Sequence, residues 1–342
     1  MTHTSPEWHT VGLPHLLERR DLPDELIRVA FQDLTAGSFG EAEATAFLLA
    51  LRLKGEASTE IAAAVGVLRE AMVRLHPTTR PVLDTCGTGG DGSGTFNIST
   101  ATALVVAGTG IPVVKHGNRS VSSRSGSADV LSSLGVLIES GPAWAEKSLA
   151  RVGFAFCFAP HFHPALAKVA PLRRKLGVRT IFNLLGPLLN PAGAEYQLLG
   201  VSRPELLDSM AGAIARLGIR QAYLVCGRDG LDEVSLSAPT LVRHVHAGKV
   251  ESLEWTLRDF GLPSVDLADL KADGPDASAA MIRDVLSGND SPARRIVLAN
   301  AGAALLAVER VSSLPDGVQL AAGAIDSGAA QRVLDGLTQS AI

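Results

Sequence analysis

Aromatic residues, cysteines and long apolar runs are all scarce in this chain of 342 residues. Aromatic residues make up 4% of the sequence, and the three cysteines, Cys86, Cys157 and Cys226, include no CxxC pair. This spacing supports neither a disulfide framework nor a zinc site. There is no basic-then-apolar signal peptide, and no apolar run reaches the roughly 18 to 20 residues that span a bilayer. These absences predict a protein of the reducing cytoplasm with no membrane partner.

An excess of positive charge is also missing. The chain has 31 Lys and Arg against 35 Asp and Glu, which gives a net charge of −4. Because nucleic-acid affinity depends on neutralising phosphates with Lys and Arg, this balance argues against a nucleic-acid partner. A small phosphorylated substrate needs only a local cluster of donors and stays open. Hydrophobic residues, at 46%, are frequent enough for a substantial buried core.

The first quarter of the chain has the pattern of helices. Ser38 and Glu41 have the spacing of a capping box ahead of the apolar run 42–53, and Ser58 can cap the helix that follows. We therefore predict a smaller, all-helical domain over residues 1–78. The second of these helices has one apolar stripe, with residues spaced by fours and threes: Ile61, Val65, Leu68, Met72 and Leu75.

Beyond these helices, short apolar runs alternate with helix-like segments. Such alternation predicts an α/β fold with a mostly parallel sheet flanked by helices, over residues 79–342. Ser291 followed by Pro292 predicts the start of a later helix, whereas residues 242–273 give no clear pattern. The predicted strands are Val82–Cys86, Ile111–Lys115, Phe154–Phe158, Gln197–Val201 and Ala222–Cys226, and the predicted helices include Ile98–Ala107, Ala128–Leu134 and Glu205–Leu217.

A glycine-rich loop follows the first predicted strand. Five of the eight residues from Gly87 to Gly94 are glycine, and Asn97, Ser99 and Thr100 lie at the start of the next helix. Glycine permits positive φ and close approach of the backbone to a ligand, and successive N–H groups at a helix start bind anions. The segment therefore predicts a phosphate or pyrophosphate site.

The same loop also matches the dinucleotide fingerprint G-x-G-x-x-G at Gly87, Gly89 and Gly92. That fingerprint needs an acidic residue at the end of the second strand, where this chain has Lys115 and His116. The context therefore disfavours a dinucleotide-dependent oxidoreductase, even though the glycine spacing allows one.

A basic, serine-rich loop follows the second predicted strand. It contains Lys115, Asn118 and Arg119, followed by four serines through Ser125. Ligands of open α/β sheets bind beyond the carboxyl ends of the strands, where both this loop and the glycine-rich loop lie. We predict that the two loops converge on one phosphate site.

These motifs resemble those of the anthranilate phosphoribosyltransferase family, within the nucleoside phosphorylase and phosphoribosyltransferase superfamily. The resemblance implies transfer of a phosphoribosyl group from phosphoribosyl pyrophosphate to anthranilate, in tryptophan biosynthesis, with Mg²⁺ as cofactor. It also implies that part of 163–190 joins the helical domain, that residues 79–342 bind the phosphoribosyl group, and that a homodimer forms through the helical domain. The segments that carry the likeness are 87–92, 97–100, 115–123, 126–131, 163–165, 176–191 and 229–233.

The resemblance also implies a set of site residues, carried over position by position. Magnesium is expected at Ser99, Asp232 and Glu233, and anthranilate at Gly87, His116, Asn118, His163 and Arg173. No catalytic base is expected, because an aryl amine is already a neutral nucleophile at pH 7. The residues expected to contact phosphoribosyl pyrophosphate are Gly87, Gly90, Asp91, Thr95, Asn97, Ile98, Ser99, Thr100, Lys115, His116, Gly117, Asn118, Arg119, Ser120, Val121, Ser122, Ser123 and Ser127.

Two related functions are the alternatives. A pyrimidine nucleoside phosphorylase shares the overall design and a loop with Lys and Ser. A catalytically silent relative that binds nucleic acid would have a basic face and eroded glycine or Asp-Glu motifs. Since the net charge is negative and the motifs are intact, the sequence disfavours the second alternative.

Overall fold

The computed structural model describes residues 8–119 and 126–339. The expected site residues Ser120, Val121, Ser122 and Ser123 lie outside these ranges. The strands are Leu83–Gly87 (β1), Val113–Gly117 (β2), Phe154–Phe158 (β3), Tyr196–Gly200 (β4), Gln221–Gly227 (β5), Thr240–His246 (β6) and Lys249–Trp255 (β7). The helices are Leu13–Leu17 (α1), Asp24–Ala36 (α2), Glu41–Lys54 (α3), Ser58–Glu70 (α4), Ile98–Gly108 (α5), Ser127–Ser133 (α6), Pro142–Val152 (α7), Ala159–Phe162 (α8), Ala170–Leu176 (α9), Phe182–Leu185 (α10), Leu207–Arg216 (α11), Leu257–Phe260 (α12), Pro275–Leu286 (α13), Pro292–Ala307 (α14), Leu314–Asp326 (α15) and Ala329–Thr338 (α16).

The seven strands form one sheet in the order β3-β2-β1-β4-β5-β6-β7. The first five strands of this order are parallel, so the prediction of a mostly parallel sheet flanked by helices is confirmed. β1 lies between β2 and β4, and Gly87 at its end is level with Gly200 at the end of β4. A ligand crevice is expected where strand order reverses in this way, outside the carboxyl ends of the strands.

The segment without a clear sequence pattern contains an antiparallel extension of the sheet. β6 pairs antiparallel with β5 and with β7, and a tight turn joins β6 to the edge strand β7. β7 is exposed along most of its length, so it lacks the apolar run that marks a buried strand. This partial exposure explains why the sequence alone did not indicate it.

Helix α3 begins differently from the prediction. The residue preceding the helix is Gly40, and the carboxylate of Glu43 accepts the Gly40 backbone N–H at 2.8 Å. The predicted capping pair of Ser38 and Glu41 is therefore wrong. The two residues lie two positions too early, because the chain is still extended at Gly40.

The predicted cap of α4 is also wrong, whereas that of α14 is confirmed. Ser58 is the first residue of α4, and the carboxylate of Glu60 accepts the backbone N–H of Ala57 at 2.8 Å. Ser291 precedes α14 as predicted, and its Oγ accepts the backbone N–H of Arg294 at 3.2 Å.

The N-terminal helices pack against the segment that follows α9. The Phe31 ring lies 5.9 Å from the Phe47 ring and 5.6 Å from that of Phe182, between ring centroids. Helix α4 also packs on α11, on the same face of the sheet. A second apolar cluster, built around α5 and α14, covers the other face. Within the described ranges, no helix is long and apolar enough to cross a membrane.

Candidate active site

The glycine-rich loop is attached to two neighbouring strands through its backbone. The N–H of Thr88 donates to the carbonyl oxygen of Gly200 at 2.9 Å, and the N–H of Gly89 donates to Asp232 Oδ2 at 3.1 Å. At the far end, the N–H of Phe96 donates to the carbonyl oxygen of Leu270 at 2.8 Å. The loop is therefore held at both ends. Its glycines at 89, 90, 92 and 94 all have positive φ.

The loop leads into α5, whose first turn contacts the basic end of β2. Asn97 Oδ1 accepts the N–H of Thr100 at 3.0 Å and caps the helix. Lys115 is 1% exposed, and its Nζ donates to Ser99 Oγ at 3.0 Å and to the carbonyl oxygen of Thr85 at 2.5 Å. Burial lowers the pKa of Lys115. The structure thus joins the start of α5, which follows the glycine-rich loop, to the end of β2, where the basic loop begins.

The acidic pair Asp232 and Glu233 lies in the loop that follows β5, and this loop folds back over β4. A Cβ on Gly200 would overlap the carbonyl oxygen of Asp232, and a Cβ on Gly87 would lie 3.1 Å from Asp232 Oδ2. Both glycines are therefore needed for this close approach. The acidic pair faces the same hollow as the glycine-rich loop, with the N–H of Gly89 as the direct link.

The carboxylates in this hollow repel one another. Burial and the nearby carboxylate of Asp91 raise the pKa of Asp232 to about 7. Burial and Asp232 hold the pKa of Glu233 well above its usual range. Asp91 Oδ2 is itself buried and has no hydrogen-bond partner among the described residues. A cluster of this kind is stabilised by a bound cation.

The two histidines expected at anthranilate lie side by side. His116 Nε2 and His163 Nε2 are 3.1 Å apart. Burial and the neighbouring ring lower the pKa of His116 to about 3, and burial lowers that of His163 to about 4. Both rings are therefore neutral at physiological pH. With the two nitrogens at hydrogen-bond distance, one ring donates and the other accepts.

Arg173 is half-buried on α9, with its guanidinium 5.2 Å from the centre of the Phe182 ring. Burial lowers its pKa. Among the described residues no carboxylate pairs with Arg173, so the N–H groups of its guanidinium are available as donors. Such a group binds a carboxylate with two parallel hydrogen bonds.

Arg119 points elsewhere in this structure. Its guanidinium contacts Asp129 at 3.3 Å and Glu139 at 3.0 Å, away from the glycine-rich loop. The remaining expected residues lie on several elements, and within the described ranges no hydrogen bond joins them to the acidic pair. Asn118 Oδ1 accepts the Arg119 N–H, Thr95 Oγ1 lies 3.2 Å from Ser93 Oγ, Gly117 ends β2, Ser127 begins α6, and Ile98 is buried in the core.

Three polar side chains support the site although sequence reasoning gave them no role. Arg179 and Ser202 bond to the glycine-rich loop, and Asn190 Nδ2 donates to the carbonyl oxygen of Val114 in β2 at 2.7 Å. Arg179 and Asn190 lie in a segment that carries the family resemblance. Nothing in its local pattern tells which of its polar residues face inward.

Comparison with known proteins defines the class. Two family models match, "Glycosyl transferase family, a/b domain" over residues 79–331 and "Glycosyl transferase family, helical bundle domain" over residues 13–72. The chain belongs to this glycosyl transferase family.

Relatives of the chain within the family include anthranilate phosphoribosyltransferases. The chain is 48% identical over 330 residues to that of Desulfitobacterium hafniense strain Y51, covering 96% of this chain and 98% of the relative. The crystal structure of the Thermus thermophilus protein matches with a TM-score of 0.89 at 42% identity, over 96% and 98% of the two chains. The Saccharomyces cerevisiae protein in complex with PRPP and Mg matches with a TM-score of 0.88 at 29% identity, over 99% of each.

Proposed function

We propose that this protein transfers the phosphoribosyl group of phosphoribosyl pyrophosphate to anthranilate, giving N-(5-phosphoribosyl)anthranilate and pyrophosphate. The observation that carries the proposal is the hydrogen bond from Gly89 to Asp232, which joins an anion-binding loop to an acidic pair. Relatives at this level of identity have the activity by name, and the reaction belongs to tryptophan biosynthesis.

The pyrophosphate is proposed to bind between the glycine-rich loop and the start of α5. The backbone N–H groups there, with Lys115 and Ser99, supply donors to an anion. Because negative charge grows on pyrophosphate as it leaves, donors that are already fixed stabilise the transition state more than the ground state. Ser99 is half-buried and Lys115 is buried, so water competes less for their hydrogen bonds.

Magnesium is proposed to bind at Asp232, Glu233 and Ser99. The fit rests on the raised pKa values of the two carboxylates and on the unpartnered Asp91 Oδ2, which mark uncompensated negative charge. Among the described residues, no three His, Cys, Asp or Glu side chains form a complete metal site. Mg²⁺ normally retains water and phosphate oxygens alongside one or two carboxylates. When bound, the cation would neutralise charge on the pyrophosphate.

Anthranilate is proposed to bind beside Arg173, His116, His163, Asn118 and Gly87. Arg173 would hold its carboxylate, and the neutral histidine pair would border the ring. The amine needs no strong base, so the chain's contribution is to hold the nitrogen in line with the ribose C1. We assign no catalytic base.

We further propose a two-domain organisation and a homodimer. The helical domain would comprise residues 1–78 with part of 163–190, and residues 79–342 would form the α/β domain. Val11, Leu17 and Leu53 are exposed apolar residues of the N-terminal part of the chain. A second copy packing on these side chains would cover them. Cysteines 86, 157 and 226 are free thiols, which suits the proposed cytoplasmic location.

The test is the loss of anthranilate fluorescence on adding phosphoribosyl pyrophosphate, with and without Mg²⁺. We expect turnover that depends on both. Phosphate-dependent cleavage of thymidine, with no consumption of anthranilate, would instead assign a nucleoside phosphorylase. Light scattering of the purified protein tests the dimer, and a monomer at micromolar concentration would contradict it.

A further inference from the structure

A guanidinium outside the proposed substrate contacts holds the glycine-rich loop from behind. Arg179 Nη2 donates to the carbonyl oxygen of Thr88 at 3.1 Å and to that of Gly89, while Nη1 donates to Ser202 Oγ at 2.9 Å. The N–H of Ser202 in turn donates to Thr88 Oγ1 at 3.0 Å. One side chain therefore ties two successive peptide carbonyls of the loop to the segment that follows β4.

The backbone that carries Arg179 is itself fixed. Gly177 ends α9 in the left-handed region, with φ +62. Three residues beyond it, the N–H of Thr180 donates to Asn183 Oδ1 at 3.1 Å, at the start of α10. The guanidinium thus reaches the loop from an anchored position, which is a requirement for orienting another group.

The close contact between Arg179 and the loop also explains why residue 90 is a glycine. This residue has φ +68, and a Cβ built on it would collide with the guanidinium. Because three hydrogen bonds hold that guanidinium, it cannot swing aside without releasing Thr88 and Gly89. Gly90 and Arg179 therefore fit each other as a pair.

The orientation of the carbonyls fixes the orientation of the N–H groups. In a trans peptide unit the C=O and the N–H point in opposite directions. The carbonyl of Thr88 faces Arg179, and the N–H of the same peptide unit, that of Gly89, points to Asp232. The carbonyl of Gly89 also faces Arg179, so the N–H of Gly90 points away from Arg179.

We propose that Arg179 is a positioning residue for pyrophosphate binding, which rests on the proposed function. It turns the loop carbonyls away from the hollow and the N–H groups of Gly89 and Gly90 towards it, without touching the substrate. Arginine suits this role because its planar fork has five donors and no acceptor. Lysine has the same charge but cannot bridge two carbonyls and a hydroxyl in one plane.

The experiment compares Arg179→Gln and Arg179→Lys with the control Arg203→Gln. Arg203 and Arg179 line one crevice beside Thr88, and among the described residues Arg203 pairs with Glu205, at 3.6 Å. The dissociation constant of phosphoribosyl pyrophosphate with Mg²⁺ is measured by calorimetry in the absence of anthranilate. The KM of each substrate, the melting temperature and amide hydrogen exchange at residues 88–92 are measured alongside.

We expect Arg179→Gln to raise the dissociation constant and the KM of phosphoribosyl pyrophosphate roughly 10- to 100-fold, the usual range for a charge-assisted hydrogen bond. The KM of anthranilate should change by less than about threefold. Amide exchange at residues 88–92 should become faster at an unchanged melting temperature. Arg179→Lys should resemble Arg179→Gln, and Arg203→Gln should resemble the wild type.

Each contrary outcome has one meaning. If the wild type does not bind phosphoribosyl pyrophosphate, the proposed function is wrong, whatever the variants do. If the wild type binds it and Arg179→Gln matches Arg203→Gln, the positioning role is wrong. Wild-type behaviour of Arg179→Lys would show that charge, not the bridging geometry, matters.

A second variant covers the case in which Arg179→Gln does not fold. Gly90→Ala displaces the same guanidinium from the other side. Its effect should be less than additive with Arg179→Lys, because both changes break one contact. Full additivity would contradict the proposal.

Discussion

The segments that follow β1 and β2 differ in how they offer donors to an anion, although the end of β2 contacts the helix start that follows the glycine-rich loop. The loop after β1 offers backbone N–H groups, and it is held by bonds to Gly200, Asp232 and Leu270. The end of β2 and the described part of the loop after it offer side chains. Of these, Lys115 is buried against α5, while Arg119 is exposed and paired with acidic residues elsewhere.

This difference predicts where the site tolerates change. A donor fixed by the surrounding backbone loses no conformational freedom when an anion binds, whereas an exposed side chain must be ordered first. Changes to the fixed elements should therefore cost more than changes to Arg119. The predictions below run from the largest expected effect to the smallest.

Removing the acidic pair should have the largest effect. We expect Asp232→Asn with Glu233→Gln to reduce turnover by about 1,000-fold or more and to abolish the Mg²⁺ dependence of phosphoribosyl pyrophosphate binding. The melting temperature should stay level or rise, because raised carboxylate pKa values mean that the charged forms destabilise the fold. Kinetics and thermal scans provide the measurement.

The matched control changes two exposed carboxylates of β7. Glu251→Gln with Glu254→Gln alters the net charge equally and should leave turnover within about twofold of the wild type. Metal-dependent turnover that survives in the first double variant would remove the acidic pair from the site.

Lys115→Met should come next. It keeps most of the buried volume but removes the ammonium that bonds Ser99 Oγ. We expect turnover to fall about 100- to 1,000-fold, the usual cost of losing one fixed donor to developing negative charge. Calorimetry with inorganic pyrophosphate measures the affinity for the anion without the ribose. Unchanged pyrophosphate affinity would show that Lys115 supports the fold only.

Gly200→Ala tests the backbone half of the comparison by sterics alone. A Cβ at Gly200 would displace the carbonyl of Asp232, so we expect about 1–3 kcal/mol of destabilisation and a large loss of Mg²⁺-dependent activity. Gly193→Ala is the control, since nothing lies near a Cβ there and only its positive φ is strained. Urea unfolding of both variants measures the loss of stability, and kinetics measure the loss of Mg²⁺-dependent activity. Together they distinguish destabilisation of the whole fold from a local change at the site. Equal effects in the two would contradict the close approach.

The histidine pair predicts a pH dependence of stability. The folded-state pKa of His163, about 4, lies below its ordinary value of 6.5. The unfolded chain therefore takes up a proton that the folded chain excludes, and the free energy of unfolding falls as pH drops from about 6.5 towards 4. Between pH 7 and 5 this contribution is about 2 kcal/mol.

His163→Gln should remove that contribution, so its stability should fall less steeply between pH 7 and 5. Urea midpoints at the two pH values give the measurement. Replacement of the exposed His76 by Gln serves as the control. An identical slope for wild type and His163→Gln would mean that His163 takes up its proton over the same pH range in the folded and the unfolded chain.

Arg119→Gln should have the smallest effect. Its guanidinium is exposed and engaged by Asp129 and Glu139, and exposed pairs contribute less than about 1 kcal/mol. We expect less than about a fivefold change in the KM of phosphoribosyl pyrophosphate. A change as large as that of Lys115→Met would show that Arg119 leaves its partners to bind the substrate.

Much of the site could be predicted from local composition. The glycine-rich loop, the basic end of β2 and the five parallel strands follow from short segments whose pattern decides their conformation. Helix starts depend on more than the local pattern. Ser38 and Ser58 are good capping residues, but extended backbone at Gly40 and Ala57 and the reach of Glu43 and Glu60 placed the caps elsewhere.

Long-range contacts were beyond the sequence. Arg179 lies 91 positions from Thr88, to which it donates, and Arg174 and Lys175 are nearby cations of similar type. The role of Leu270 in holding the loop at Phe96 was equally hidden, because only a backbone carbonyl takes part. Neither contact can be predicted from the residues that surround it in the sequence.

By itself the sequence determined which segments are strands and helices and which loops are rich in donors, because those properties depend on residues close together in the chain. Only the tertiary structure decided which donors meet. The carbonyl of Asp232 over Gly200 and the guanidinium of Arg179 behind Gly90 depend on strand order and on the packing of distant segments, and these are set by the whole fold at once.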